Sequence, residues 1–584
     1  MLYRVTMILF AISMLLSAEE ITLPVHDIKI TGNKTHETSK LYKVLNVETK
    51  SFWQFWKKED PKIYDKLIPT LDQSLQSFYD SEGFYDAKFE IKETNTTLYL
   101  NIKENNPVRI NEINVTSDYD LSPYITFKKQ ERFRAEKFIE IKNSIIEALL
   151  AAGYCSYDLD TKAYVNLEKQ KADLKYSVRK GELCHFDKTY IKGLESIDEE
   201  VVLSRIVATE GSRFDPKRIK ESYANLYQLD VFDSVMINYD RKFYNKIPVD
   251  ITLKETEKPY HTELGLGFDT YLGLRTHGTL VKKNFMGNAQ KLTLKAQWSQ
   301  KEYLGSLDFF KPALFDIRGY SIDFMSKTGY SNLEYPGFTE EKSYLRVCVG
   351  HERGRLRLKS GLVLENIDIA LLDNQDGSVT LEQAVNEGNF LLFYPYIDLI
   401  YDARDDRLNP TEGYYLSSYL EYGLPYSADA STYLKVQLEG RYIYSIDKLT
   451  LAAVAKTGVV DQFDREVPES KLFFAGGAYF NRAYGFREIG VILSPTKDSI
   501  EGASTMLNLS LEADYPVWGD IYGAIFTDNT MLNDESYDYT GDIITSAGVG
   551  IRYMTPIGPF KLDVGVNVND PSQYGISFQV GQSF

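Results

Sequence analysis

The chain is poor in cysteine and histidine, and beyond its first residues it has no long apolar run. Three cysteines, Cys155, Cys184 and Cys348, are too few for a disulfide-dense scaffold. The six histidines show no metal-ligand spacing. His36-Glu37 and His351-Glu352 open like the helical HExxH zinc site, but Lys40 and Arg355 stand where the second histidine is required. Neither a GxSxG nucleophile elbow nor a phosphate-loop lysine motif occurs. The reading is therefore of a non-enzyme with no catalytic set, no cofactor and no metal. Acidic residues outnumber basic ones, 83 to 66. A formal net charge of −17 argues against a nucleic-acid partner, whose phosphates call for Lys and Arg.

What is present starts with Met1-Leu2-Tyr3-Arg4, an apolar run from Val5 to Leu16, and Ser17-Ala18 before an acidic start. That pattern reads as a secretory signal peptide, residues 1–18, cleaved after Ala18. The run is too short to cross a bilayer, which takes roughly 20 residues of helix. Tyrosine is abundant at 43 and glycine at 38. Aromatics and glycines with alternating apolarity suit a transmembrane β-barrel, whose outer face meets lipid while its lumen stays polar.

From Val25 to about Glu257 a unit repeats: a short strand, two helices and a two-stranded hairpin. The first copy, residues 19–106, opens with Val25–Ile30 and turns at Thr31-Gly32-Asn33. Its main helix carries Leu67, Leu71, Leu75 and Phe78 on one face, and Gly83 ends it. The second copy, 107–182, opens at Val108–Ile113, places Ile141, Ile145 and Leu149 on a helix, and stops at Gly153. The third, 183–257, opens at Phe186–Ile191 and puts Ile219, Tyr223 and Leu226 on a helix. Each unit buries its helices on one sheet face and leaves edge strands free. These modules serve either as spacers or as β-augmentation platforms for extended chains. Trp53 and Trp56 form the most conspicuous apolar cluster, as internal packing or as a docking patch. Cys155 begins the second hairpin and Cys184 lies just past its end. Antiparallel pairing makes those ends neighbours, so a disulfide is open to them, with Cys348 left over.

From Lys258 to Phe584 the pattern changes to period two. Leu507, Leu509 and Leu511 alternate with Asn508, Ser510 and Glu512. Ile576, Phe578 and Val580 alternate with Ser577, Gln579 and Gly581. At about 20 residues per strand and connection, the segment 258–584 holds roughly 16 antiparallel strands. The predicted fold is α+β repeats followed by an all-β transmembrane barrel.

Several segments carry a family likeness. They are Lys283-Asn284-Phe285-Met286-Gly287, then Tyr401-Asp402-Ala403-Arg404-Asp405 with Asn409-Pro410-Thr411-Glu412-Gly413, and Gly548–Arg552 with Thr555-Pro556-Ile557-Gly558 and Asp563. Together with Leu226–Phe232, they resemble the outer-membrane assembly and secretion superfamily that includes BamA, TamA and the two-partner secretion transporters. The resemblance implies periplasmic POTRA repeats and a barrel in the outer membrane of a Gram-negative bacterium. Three modules fit a TamA-like member best.

Gly476-Gly477 followed by Asn481-Arg482-Ala483-Tyr484-Gly485-Phe486 is similar to the family's V-R-G-Y/F lumen-loop motif, although Asn481 and Ala483 depart from it. The resemblance implies that Arg482 pairs with Glu512 and Asp528 on the inner wall, with Gly485 and Phe486 completing the loop. A labile seam is expected between first and last strands, weakened by Gly265, Gly267, Gly575 and Gly581 and ended by Phe584, since a strand glycine packs no side chain. The implied activity is insertion or translocation of unfolded outer-membrane client proteins such as autotransporters, with a TamB-like periplasmic partner and outer-membrane lipid. A dedicated secretion pore and a passive channel are the rival readings.

Overall fold

The structure is a computed structural model. It describes residues 24–49, 61–94, 96–240, 245–269, 271–317, 319–335, 338–371, 387–426, 430–491, 501–555 and 558–580. The signal-peptide expectation, the Trp53/Trp56 cluster, Pro556, Ile557, Gly581 and Phe584 lie outside them.

The first module contains β1 (Val25–Thr31), α1 (Thr38–Val44), β2 (Lys62–Tyr64), α2 (Leu71–Ser81), β3 (Lys88–Glu93) and β4 (Thr97–Lys103). Its sheet order is β2-β1-β4-β3, with β1 parallel to β4. Leu71, Leu75 and Tyr79 bury one face of α2 against Ile28, Leu98 and Leu100. Leu67 does not extend that helix as the spacing predicts. It lies in a preceding 3-10 turn, Asp65–Thr70, where Pro69 supplies no N–H to an α-helix. The short β2 covers the open side of β1, an edge the sequence leaves free.

The second module contains β5 (Arg109–Ser117), α3 (Ala135–Ala151), β6 (Asp158–Asn166) and β7 (Lys171–Arg179), in sheet order β5-β7-β6. Its expected first helix is absent. Residues 122–124 make a turn, because Pro123 breaks the helical pattern and Asp120 Oδ1 accepts the Ser122 N–H (3.0 Å). Gly83 and Gly153 both adopt positive φ past their helices, 87° and 84°, as helix stops. Each of their carbonyls accepts an N–H from the start of the next module, Val108 (2.8 Å) and Cys184 (2.9 Å). Cys155 and Cys184 are bridged, with Cα atoms 5.9 Å apart, and Cys348 is free and buried.

The third module contains β8 (His185–Lys192), α4 (Glu199–Leu203), α5 (Pro216–Gln228), β9 (Phe232–Tyr239) and β10 (Lys246–Glu255), in sheet order β8-β10-β9. Ile219 and Leu226 are buried on α5, but Tyr223 is exposed and lies against Tyr227, the two rings tilted by 50°.

Sixteen antiparallel strands follow in sequence order and form the barrel wall. The first are β11 (Tyr260–Asp269), β12 (Gly273–Lys282), β13 (Lys291–Trp298), β14 (Glu302–Ile317), β15 (Tyr320–Tyr335) and β16 (Phe338–Arg353). Then come β17 (Leu356–Leu371), β18 (Gly388–Asp402), β19 (Gly413–Tyr422), β20 (Tyr433–Ile446) and β21 (Leu449–Gln462). The last five are β22 (Thr505–Trp518), β23 (Ile521–Asn533), β24 (Ile543–Tyr553), β25 (Phe560–Asn567) and β26 (Tyr574–Val580). Among the described residues no ladder joins β26 to β11. Period-two alternation sets the faces: on β22 Leu509 and Leu511 point outward, whereas Asn508 and Glu512 are buried within the barrel.

Candidate functional site

The loop between β21 and β22 turns back into the barrel instead of standing outside it. Gly476 and Gly477 take φ of 96° and 89°, and short bridges pair Phe473 with Ala503 and Ala475 with Ile489. The hairpin so formed carries Arg482 to the inner wall.

There the guanidinium meets Asp528 side-on, Nε to Oδ2 and Nη2 to Oδ1, both 2.9 Å. Its Nη1 donates to Glu512 Oε2 and lies 3.5 Å from Asp563 Oδ2. Its Cζ sits 3.4 Å from the centre of the Phe526 ring. Glu512 is shared: its Oε1 accepts from Arg552 Nη2 (2.7 Å) and lies 3.9 Å from Lys561 Nζ. Arg552 also donates to Asp563. Three cations and three carboxylates are thus interleaved on β22 to β25 and the loop, all with little exposure. Burying such charges is tolerable only because each is paired, and the two parallel bonds to Asp528 fix the arginine's plane as well as its position.

The two departures from the motif are both accommodated. Asn481 donates to the Ile544 carbonyl (3.2 Å) and accepts from Ser546 Oγ. Ala483 is wholly buried over Gly565 and Gly575, which face each other on β25 and β26. A Cβ on Gly575 would come within 2.6 Å of the Arg482 carbonyl oxygen, and one on Gly565 within 2.7 Å of its carbon. Gly575 therefore makes room for the loop, a use its place in the last strand does not reveal. Gln573 Nε2 donates to the Ala483 carbonyl (3.1 Å) from the turn before β26. Gly485 donates its N–H to Glu488, and Phe486 packs on Tyr271 with ring centres 5.0 Å apart. Gly265 lies under the His277 ring, while Gly267 has open space up to Arg275.

The structure brings Arg482, Glu512 and Asp528 together. Sequence reasoning assigned no role to Arg552, Lys561 and Asp563, although Arg552 and Asp563 stood in a quoted motif. The register was the missing signal: Arg552 pairs with Lys561 and Gly550 with Asp563, so all three share the inner face.

A second group was missed entirely. Arg205, just after α4, places Nη2 2.8 Å and Nη1 3.1 Å from the carboxylate of Asp323 on β15, and Arg353 at the end of β16 holds the same carboxylate at 3.0 Å. Asn284 and Asn288, in the turn after β12, hydrogen-bond Ser196 (2.6 Å) and Asp198 (2.7 Å), and Lys283 pairs with Asp230 (2.7 Å). The Asn-x-x-Gly segment therefore ties this part of the third module to the barrel. The Asp402–Glu412 motif builds the turn between β18 and β19. Asp402 binds Arg404 bidentately, and Asp405 accepts the N–H groups of Thr411 and Glu412. Among the described residues no group of three His, Cys, Asp or Glu side chains is arranged to hold a metal ion.

Strand-helix-hairpin modules ahead of a sixteen-stranded barrel, with one barrel loop clamped in the lumen, define an outer-membrane protein with periplasmic modules. Residues 284–584 match the Omp85 superfamily domain, and residues 23–105 and 106–181 match the POTRA family, described as a surface antigen variable number repeat. The chain belongs to the Omp85 superfamily. It is 20% identical to the outer membrane protein assembly factor BamA of Neisseria meningitidis serogroup B, over 96% of this chain and 78% of that protein. It is likewise 20% identical to BamA of Nitratidesulfovibrio vulgaris, over 96% of this chain and 73% of that one. The crystal structure of Haemophilus ducreyi BamA lacking POTRA domains 1–3 covers 81% of this chain at 18% identity, with a TM-score of 0.54, which speaks to the fold.

Proposed function

We propose that this protein is an assembly and translocation factor of the TamA type, inserting client barrels such as autotransporters into the outer membrane through a seam between β11 and β26. Its coarse role, handling outer-membrane proteins, rests on the likeness of nearly the whole chain to BamA assembly factors. The observation that carries the finer reading is the loop. Arg482 and Ala483 press into glycines on β25 and β26, so the strand at one side of the seam is braced from within. The other end strand, β11, has no ladder to β26 among the described residues. Unpaired strand edges are templates on which an incoming strand can hydrogen-bond. The modules would deliver clients or dock a TamB-like periplasmic partner, and lipid surrounds the seam. Three modules rather than more favour the TamA type.

The test is insertion of a urea-unfolded client barrel into liposomes, read by protease protection, with and without this protein. A Cys348→Ser background carrying one cysteine in β11 and one in β26 allows the seam to be locked. Faster insertion that stops on locking and returns on reduction is expected. Acceleration that ignores the lock would sink the seam mechanism. No acceleration, with steady ion flow, would point to a dedicated pore or passive channel.

A further inference from the structure

The lumen loop buries a second cation that the Arg482 network does not use. Lys471 ends a 3-10 turn, Glu469–Lys471, before the Gly476-Gly477 reversal. Its ammonium lies 2.9 Å from Glu365 Oε2 on β17 and 3.2 Å from Glu421 Oε1 on β19. It also donates to the Tyr394 hydroxyl on β18 (2.9 Å), and sits 4.2 Å from the centre of that ring. Glu421 accepts further hydrogen bonds from Tyr419 (2.5 Å) and Tyr433 (3.0 Å). Lys435 on β20 donates to the Lys471 carbonyl (2.6 Å), which fixes the loop backbone at the same point. The Arg487 guanidinium packs on Tyr335 at 4.3 Å and Phe474 at 4.4 Å.

The placement of this cluster gives it meaning. The partners of the Lys471 ammonium lie on β17, β18 and β19, whereas the carboxylates that hold Arg482 lie on β22 and β23. In strand order β19 and β22 are three apart, so the two ties sit on separate stretches of the inner wall, with Leu472 to Asn481 between them along the loop. Both ties are charge-assisted and buried, the condition in which an ion pair holds geometry most firmly.

We propose that Lys471 is the second anchor of the loop, and that the loop is a strut tied to two separate stretches of the inner wall, either of which alone keeps it inside. The strut concerns how the lumen is closed and stands apart from the assembly reading.

The experiment is ion conductance of the refolded full chain in planar bilayers, with the folded fraction checked by heat-modifiable gel mobility. Four proteins are compared: wild type, Lys471→Met, Arg482→Gln and the double variant. Each single variant should conduct within a few-fold of wild type, and the double roughly tenfold above the larger single, because coupled sites depart from additivity. Lys471→Met strands two carboxylates. Glu365→Gln/Lys471→Met therefore removes the tie by taking one charge of each sign and leaves Glu421 facing Lys435, and should give the same jump when combined with Arg482→Gln. A double variant conducting no more than Arg482→Gln alone would overturn the strut, as would a charge-neutral version that behaves like Arg482→Gln alone. Loss of client insertion with the conductance pattern intact would count against the assembly reading only.

Discussion

The two sides of the barrel are built differently. β14, β15, β16 and β17 each have 16 residues and β18 has 15. Around the seam β11 and β12 have 10 each, β13 and β25 have 8, and the described part of β26 has 7. At about 3.4 Å per residue, the long wall runs roughly 54 Å and the 8-residue β13 and β25 roughly 27 Å before tilt. A spanning strand needs ~9–11 residues. The long wall therefore has length to spare beyond the hydrocarbon, and Lys471 finds Glu365 and Tyr394 on it. The strands at the seam have none to spare, and on β25 and β26 the inner surface is glycine where the loop presses, beside paired charges that run back to the longer β22 and β23. One wall supplies height and aromatic bulk; the other is thin and depends on the loop for internal support.

The sharpest way to break this contrast is to unbalance the charged wall. Asp528→Ala leaves Arg482 without its bidentate partner. It should cost about 3–5 kcal/mol, the range for breaking a buried ion pair. The midpoint of urea unfolding in detergent micelles, followed by gel mobility, measures it. A cost no larger than that of an outward-facing Leu511→Ala would show that the network is solvated and the contrast unreal.

A smaller effect distinguishes glycines of the two end strands. Gly575→Val should displace the loop and cost about 1–3 kcal/mol, as overpacking does. Gly267→Val, with its nearest neighbour 3.7 Å from an added Cβ, should leave the loop where it is. Limited proteolysis of the loop, read by mass spectrometry, separates the two. Equal cleavage in both variants would remove the special status of the last strand.

The smallest effect comes from the bilayer. Mismatch costs fractions of a kcal/mol per Å, so thicker-chain lipids should penalise the seam side while sparing the long wall. Client insertion rates should fall by a few-fold as the acyl chains lengthen by about 5 Å of hydrocarbon thickness. Rates independent of thickness would mean that strand length on the seam side has no functional weight.

Much of this was legible in the sequence, and the misses have physical causes. Period-two alternation at Leu507–Glu512 identifies a wall strand and its inward face, and the number of strands follows from length. The Asn481–Phe486 segment marks Arg482 through its resemblance to the family's lumen-loop motif. Alternation, however, says which face a residue takes and nothing of what lies across the lumen. Lys471 therefore carried no signal, since Glu365 and Glu421 become its partners only when the loop folds in against β17 to β19. Arg205 and Asp323 are separated in sequence and meet only at the barrel's base. In the second module Pro123 was a local clue that outweighed the analogy with its neighbour. The short β2 follows residues outside the description, and its three residues are too few to show a period.

The Cys155–Cys184 bridge has a consequence for the order of events during biogenesis. Both thiols precede the first barrel strand, and a chain crossing the inner membrane amino end first delivers them to the oxidising side before β11. The second module can then be covalently sealed while every wall strand is still unthreaded. The bond acts as a ratchet: it fixes the segment between two cysteines 29 positions apart as a finished piece, from which the unfolded remainder trails until it meets lipid.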